Sequence, residues 1–384
     1  MATYLAAALF LAAPVFSACT PLPSSLTFPS NAKLPDPFKL YNGTRVSTKA
    51  DWACRQAELS TLIQNYELGT YPGPPETLTA TLSGKTLTIN VGANSKSISF
   101  SVSITTPSSG TAPYPAVIAY GGASIPIPAG VATITFSNDD IAAQSGSGSR
   151  GSGKFYTLFG SSHSAGALTA WAWGVSRIID ALEKTPSANI DPKRLGVTGC
   201  SRNGKGAIVA GAFDSRIALT LPQESGAGGS AAWRVSDAIK ASGGNVQTAS
   251  QIITENPWTG RPFDAWVNKI PQTPHDHHFL AGMIAPRGLF IIDNNIDWLG
   301  PQASWVAAKA GHYIYEALGV PDNLGYSQIG SHSHCQFPSN QQTALTGFMN
   351  KFLLNQPSAN TAVMVSDTTY DQAKWVDWTV PTLT

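Results

Sequence analysis

Charge is scarce in this 384-residue chain: 12% of residues are Asp, Glu, Lys or Arg, and 24 basic against 23 acidic side chains leave a formal charge of +1. No basic field is available to neutralise a row of phosphates, so a nucleic-acid partner is not expected. There are only four cysteines and no C-x-x-C pair, so the ligand spacing of a structural zinc site is missing. After residue 18 no uninterrupted apolar run reaches the ~18 residues of a spanning helix, and no membrane association is expected. Internal repeats, charge runs and linkers are missing too. What is present is 42% hydrophobic residues, enough for one large core, with 35 Gly, 27 Pro and many Ser and Thr on a surface polar through hydroxyls and amides. The expected partner is neutral.

Ala2 to Ala18 carries Leu5, Leu9, Phe10, Leu11, Val15 and Phe16 and ends in the small residues Ser17 and Ala18. This reads as a signal peptide over 1–18, followed by a single catalytic domain over 19–384 and secretion of the mature chain. Cys19, Cys54, Cys200 and Cys335 form an even set that suits an oxidising compartment and allows three full pairings. Asn42-Gly43-Thr44 is a glycosylation sequon, which fits a secreted surface.

Pro21 to Pro75 looks like a segment wrapped over the body, with a helical pattern from Ala50 to Tyr66. Leu78, Ala80 and Leu82, and then Ile98, Phe100, Val102 and Ile104, alternate with polar residues as half-buried antiparallel strands do. From Pro115 the pattern changes to short apolar runs: Ala116 to Ala119, Val131 to Phe136, Leu195 to Thr198, Ile217 to Leu221 and Leu289 to Ile292. Such runs suit strands buried on both faces. Helical patterns from Gly166 to Leu182, Gly204 to Phe213, Ala303 to Leu318 and Ser339 to Leu354 lie among them. The fold class is therefore α/β: a three-layer sandwich around a mostly parallel sheet, with antiparallel strands on the N-terminal side. Trp171 and Trp173 sit in a helix too apolar to be exposed and are assigned to the core.

Arg194 to Thr198 reads as a strand that runs into Gly199-Cys200-Ser201-Arg202-Asn203-Gly204-Lys205 and at once into a helix. A serine on such a turn projects Oγ above the sheet, and the following N–H points where an oxyanion forms. The pattern departs from G-x-S-x-G, because Asn203 holds the second glycine's position and Gly204 follows it. A serine hydroxyl needs a base within reach and a carboxylate to orient that base. Gly330-Ser331-His332-Ser333-His334-Cys335 follows the expected last strand, Asn323 to Ile329, and offers two histidines. His334 is favoured, since a bridge from Cys335 to Cys200 would hold the two loops together, leaving Cys19 to pair with Cys54. For the acid, Glu224 follows one strand and Asp293 another, and the residues alone leave both open.

Gly199 to Lys205, Gln223-Glu224-Ser225-Gly226 and Ser333-His334-Cys335, with Gly166-Ala167-Leu168 and Ala170-Trp171-Ala172-Trp173-Gly174, together resemble the glucuronoyl esterases of carbohydrate esterase family 15. The likeness spans most of the mature chain. It implies an α/β-hydrolase fold, no cofactor, and hydrolysis of esters between glucuronic acid, or its 4-O-methyl form on glucuronoxylan, and lignin alcohols. By that resemblance Ser201, His334 and Glu224 are the triad, Arg202 helps hold the oxyanion, and Lys205, Gln247, Glu255 and Trp298 contact the uronoyl sugar. Each role has a chemical basis: Lys205 lies four residues after Ser201 and donates to hydroxyls, Arg202 is permanently charged, and Trp298 offers apolar cover. The expected partners are glucuronoxylan and lignin-carbohydrate esters, met by a monomer without an appended binding module.

Three rivals stand beside this reading. Another carbohydrate esterase, such as one removing acetyl groups, would use the same triad but ignore the sugar carboxylate. A carbohydrate-binding protein on an inactive hydrolase fold would not need the triad. A metal hydrolase would use His275, Asp276, His277 and His278, but that contiguous run reads as structural and no metal is expected.

Overall fold

The structure is a computed structural model that describes residues 19–384. The expected leader, 1–18, lies outside the described residues. Ten strands of the described chain form one sheet: β1 Thr77–Ser83, β2 Thr86–Ala93, β3 Lys96–Thr105, β4 Tyr114–Tyr120, β5 Ala132–Phe136, β6 Ile190–Cys200, β7 Ile217–Gln223, β8 Gly288–Asp293, β9 Leu324–Gln328 and β10 Met364–Ser366. Their spatial order is β1-β2-β3-β5-β4-β6-β7-β8-β9-β10. Every pair from β5 to β10 is parallel, while β1, β2, β3 and β5 are joined antiparallel.

The continuous apolar character of the central strands follows from cover on both faces. Ala116, Ile118, Leu289 and Ile291 point into the larger core cluster, while their neighbours Val117, Phe290 and Ile292 point into a second one. The first face is covered by helices Ala167–Lys184, Arg202–Phe213, His278–Ile284 and Pro301–Ala317, the second by Gln342–Phe352, whose Phe348 stacks on Phe290 with ring centroids 4.8 Å apart. Trp171 and Trp173 are fully buried, as their helix pattern requires.

Three details differ from the sequence reading. The N-terminal antiparallel region has a third strand, β2, whose Leu87, Ile89 and Val91 alternate inward between β1 and β3. The helix expected from Ser339 begins as a 3-10 turn and becomes α-helical only at Gln342. The segment after Leu354, where the sequence reading places no element, adds β10 parallel to β9. The wrapped N-terminal helix runs Lys49–Ile63 and is capped reciprocally by Thr48 and Asp51, which satisfies two otherwise orphaned N–H groups. Among the described residues no helix is long and apolar enough to cross a membrane.

β6, β7, β8 and β9 all point their C-terminal ends to one edge of the sheet, where an open α/β sheet carries its ligands. Ser201, Glu224 and Asp293 stand at three of those ends, and His334 lies on the loop after the fourth.

Candidate active site

Ser201 sits between the end of β6 and helix Arg202–Phe213 with φ 59° and ψ −124°, outside the regions that suit a non-glycine residue. Its N–H donates to the Gln223 carbonyl at 2.9 Å, which ties the turn to β7. The departure from G-x-S-x-G has a steric reason. A Cβ at position 204 would lie 2.6 Å from the Gln223 oxygen, so the glycine is needed there, one residue later than usual. Asn203 instead uses its amide: Nδ2 donates to the Tyr120 carbonyl at 3.2 Å, and Oδ1 accepts from Asn138 Nδ2 at 3.1 Å. Glu224 and Cys335 also have positive φ, 45° and 65°. Three left-handed non-glycine residues at one site concentrate strain, of order 1–3 kcal/mol each, where side chains must converge.

Glu224 is 1% exposed, and its N–H donates to the Ile292 carbonyl of β8 at 2.7 Å. Its Oε2 accepts from His334 Nδ1 at 2.7 Å and from the Cys335 N–H at 2.9 Å. With Nδ1 donating to a carboxylate, the second nitrogen of His334, Nε2, is the one left to accept a proton. His332 is held otherwise, with Nε2 against the Ile329 carbonyl at 2.8 Å, and its Nδ1 is 3.8 Å from Glu224 Oε1. Asp293 makes no bond to either histidine. It is buried, accepts from the Asn294 N–H at 3.0 Å and from the Tyr326 hydroxyl at 3.4 Å, and is pushed up to about 7, mainly by burial.

The cysteines pair Cys19 with Cys54 and Cys200 with Cys335. The second bridge joins the residue before Ser201 to the residue after His334, and a ring nitrogen of His334 lies within 4.8 Å of both sulfurs. Cys200, His334 and Cys335 form the one candidate ligand cluster among the described residues, but sulfurs joined in a disulfide offer no thiolate to a metal. The side chains of His275, His277 and His278 are all buried and bonded to protein, to Glu67, the Gly229 carbonyl and the Pro35 carbonyl.

Around this centre the expected sugar contacts come together. Gln247 Nε2 donates to Glu255 Oε2 at 3.0 Å, and the Gln247 N–H donates to the Trp298 carbonyl at 3.2 Å. Trp298 stands edge-on to the His334 ring, centroids 4.9 Å apart. Lys205 is 4% exposed, more enclosed than a residue free to swing in a cleft. Its Nζ donates to the carbonyls of Ser225 at 2.6 Å and Ala227 at 2.5 Å, and burial pulls its ammonium down to about 7 despite the nearby Glu255. Sequence reasoning missed Trp258. Its ring lies under both cations, 5.6 Å from the Arg202 guanidinium and 5.3 Å from Lys205 Nζ, and its Nε1–H donates to Gln144 at 2.9 Å. No local pattern marks Trp258, because it is brought beneath the elbow only by the fold of the 249–260 segment. Asn294, whose Nδ2 reaches Glu224 Oε2 at 3.5 Å, was missed for the same reason.

A serine on a strand-to-helix elbow, with a carboxylate-bound imidazole tied beside it on an α/β-hydrolase sheet, defines a carboxylic ester hydrolase. The comparisons with known proteins then narrow that class. The family described as glucuronyl esterase, fungi, matches residues 89–319. A 4-O-methyl-glucuronoyl methylesterase of Hypocrea jecorina (strain QM6a) is 65% identical over 348 residues, 91% of this chain and 75% of that protein. One of Neurospora crassa is 56% identical over 349 residues, 91% of this chain and 89% of that protein. The glucuronoyl esterase catalytic domain of Hypocrea jecorina superposes with a TM-score of 0.93 at 65% identity, covering 94% of this chain and 100% of that one. A serine-to-alanine mutant of the glucuronoyl esterase from Sporotrichum thermophile, in complex with methyl 4-O-methyl-beta-D-glucopyranuronate, has a TM-score of 0.93 at 56% identity and covers 96% of this chain and 100% of that one. The chain belongs to the fungal glucuronyl esterase family.

Proposed function

We propose that the protein hydrolyses esters between 4-O-methyl-glucuronic or glucuronic acid of glucuronoxylan and lignin alcohols, through Ser201, His334 and Glu224. The observation that carries the reading is the 2.7 Å bond from His334 Nδ1 to Glu224 beside a serine elbow tied by the Cys200–Cys335 bridge. Ser201 Oγ attacks the uronoyl carbonyl as its proton passes to His334 Nε2, and a tetrahedral oxyanion forms. The Arg202 N–H and guanidinium stabilise that oxyanion. His334 returns the proton to the departing alcohol, leaving a uronoyl ester on Ser201. Water, deprotonated by His334, attacks this ester, and His334 passes the proton to Ser201 Oγ as the acyl–oxygen bond breaks and the uronic acid is released. Lys205, Gln247 and Glu255 bond the sugar hydroxyls, and Trp298 covers the ring.

In this reading a single domain over 19–384 acts as a monomer outside the cell, exported by the leader at 1–18. Asn42 carries a glycan, and its exposed position in a turn supports that assignment. The test compares a benzyl glucuronate ester with a simple acetate ester. Preferential cleavage of the glucuronate, lost in Ser201→Ala, is expected; preference for the acetate would assign the chain to another carbohydrate esterase activity.

A further inference from the structure

The run from His275 to His278 is left unused by the esterase chemistry, yet its hydrogen bonds are unequal. His275 and His278 each bond through Nε2 alone, to Glu67 at 2.7 Å and to the Pro35 carbonyl at 2.9 Å, and their buried Nδ1 atoms have no partner among the described residues. His277 faces an acceptor on both sides: Nε2 lies 2.9 Å from Glu67 Oε1, and Nδ1 lies 2.6 Å from the Gly229 carbonyl. A carboxylate and a carbonyl can only accept, so both nitrogens of His277 must donate, and an imidazole donating from both is charged.

We infer that His277 is a buried imidazolium that positions the loop carrying Glu224, acting through the carbonyl of Gly229. The inference rests on the triad proposed above. The charged groups facing His277 are the anions Glu67 and Asp276; the cation Arg234 is spent on Asp276 and on backbone carbonyls. Glu67, His277, Asp276 and Arg234 thus make a neutral quartet in which every member is at most 4% exposed. Burial alone would lower the His277 pKa, but Glu67 and Asp276 outweigh it and raise it. Burial would likewise raise Glu67, but the two histidines hold its carboxyl well below the ordinary range.

The loop from Glu224 to Trp233 is gripped from two sides. Lys205 takes its Ser225 and Ala227 carbonyls near the acid. At the other end His277 takes Gly229, while Asp276 accepts the Trp233 and Arg234 N–H groups at 2.8 and 3.2 Å. The stretch Gly226-Ala227-Gly228-Gly229 has no polar side chain of its own and is held through its backbone, by Lys205 on Ala227, by His277 on Gly229 and by the Gly229 and Ala231 N–H groups on the Gly226 carbonyl, with Ser225 and Ser304 bonding the adjoining Ser230. His277 is therefore a positioning residue; it does not touch substrate.

The test reads the ring first. In parent protein with 15N-labelled histidine, one imidazole should keep both nitrogens protonated at pH 8, well above the usual His pKa of about 6.5. As that ring finally titrates at higher pH, kcat on a benzyl glucuronate ester should fall with the same midpoint. A neutral His277 at pH 8, or a kcat unchanged through its titration, overturns the inference, and neither measurement needs a variant to fold. In His277→Gln and Glu67→Gln, kcat should fall about tenfold or more from displacement of the acid, with KM within about threefold. The acid limb of kcat/KM should move to lower pH, because a displaced Glu224 supports the protonated His334 less. Loss of stability alone would not move that limb, and folded variants with the parental profile would also overturn the inference. Retained turnover in Ser201→Ala or Glu224→Ala would instead sink the triad itself, whatever the state of His277.

Discussion

Glu224 and Asp293 are both buried carboxyls at strand ends, and their partners decide what each can do. Glu224 takes the donors of the catalytic loop, His334 Nδ1 and the Cys335 N–H, so Glu224→Ala should lower kcat by ~10³-fold or more, in the manner of triad acids. Asp293→Asn should keep kcat within a few-fold, as measured on a benzyl glucuronate ester. Asp293 also sets a pH dependence of stability. Its folded carboxyl titrates at about 7 against an ordinary 3.8, chiefly because of burial, with the Glu224 charge adding to it. The folded state therefore binds the proton more tightly. The cost of ionising it is absent below the ordinary value, grows between the two and is complete above about 7. Melting temperatures of Asp293→Asn relative to the parent should accordingly rise more at pH 8 than at pH 4. Lys205 presents the complementary case of a cation whose bonds go first to the acid loop. Lys205→Met should lower kcat/KM by ~10–100-fold, the worth of one or two charged hydrogen bonds, with kcat as well as KM affected. Spacing alone placed Ser201 and narrowed the base to two histidines. It could not choose between the carboxyls, because which strand end meets His334 is set by loops more than 100 residues apart in sequence.

The elements around the site are held by close approach more than by bulk. The elbow helix begins against β7, where a methyl group at position 204 would press on the Gln223 carbonyl. Gly204→Ala should cost about 1–3 kcal/mol in a denaturant melt and lower kcat as Ser201 shifts. The Cys200–Cys335 bridge closes 135 residues, and the chain-entropy model values such a loop at about 5 kcal/mol. Its double serine variant should lose stability up to that amount and also show a lower kcat, since the Ser201 and His334 loops are then joined only through the hydrogen bonds of Gln223 and Glu224. The strands β4 to β8 were legible as short apolar runs because the central strands are buried on both faces and carry few polar residues. β10 was not, because a three-residue edge strand whose Val365 is exposed carries no such signature.

At the scale of the whole molecule the near-zero charge is itself a functional constraint. A protein with a formal charge of +1 has little long-range field to steer a charged polymer, so KM for a glucuronoxylan-derived ester should change less than about twofold between 50 and 500 mM salt. A steep salt dependence would show that charge, rather than hydroxyl contacts, captures the substrate. The sequence alone determined the layers, the elbow, the candidate base and the resemblance to an esterase family, because those depend on periodicity and on contiguous motifs. Only the tertiary structure brought the carboxylate named by the resemblance, Glu224 and not Asp293, against His334, and only it showed that Lys205 is buried against backbone carbonyls, that Trp258 lies beneath both cations, and that the three central histidines differ in their hydrogen-bond partners. The physical reason is common to all four: each depends on what stands opposite a side chain across the fold, where burial and the nature of the partner, not the order of residues, set its charge and its role.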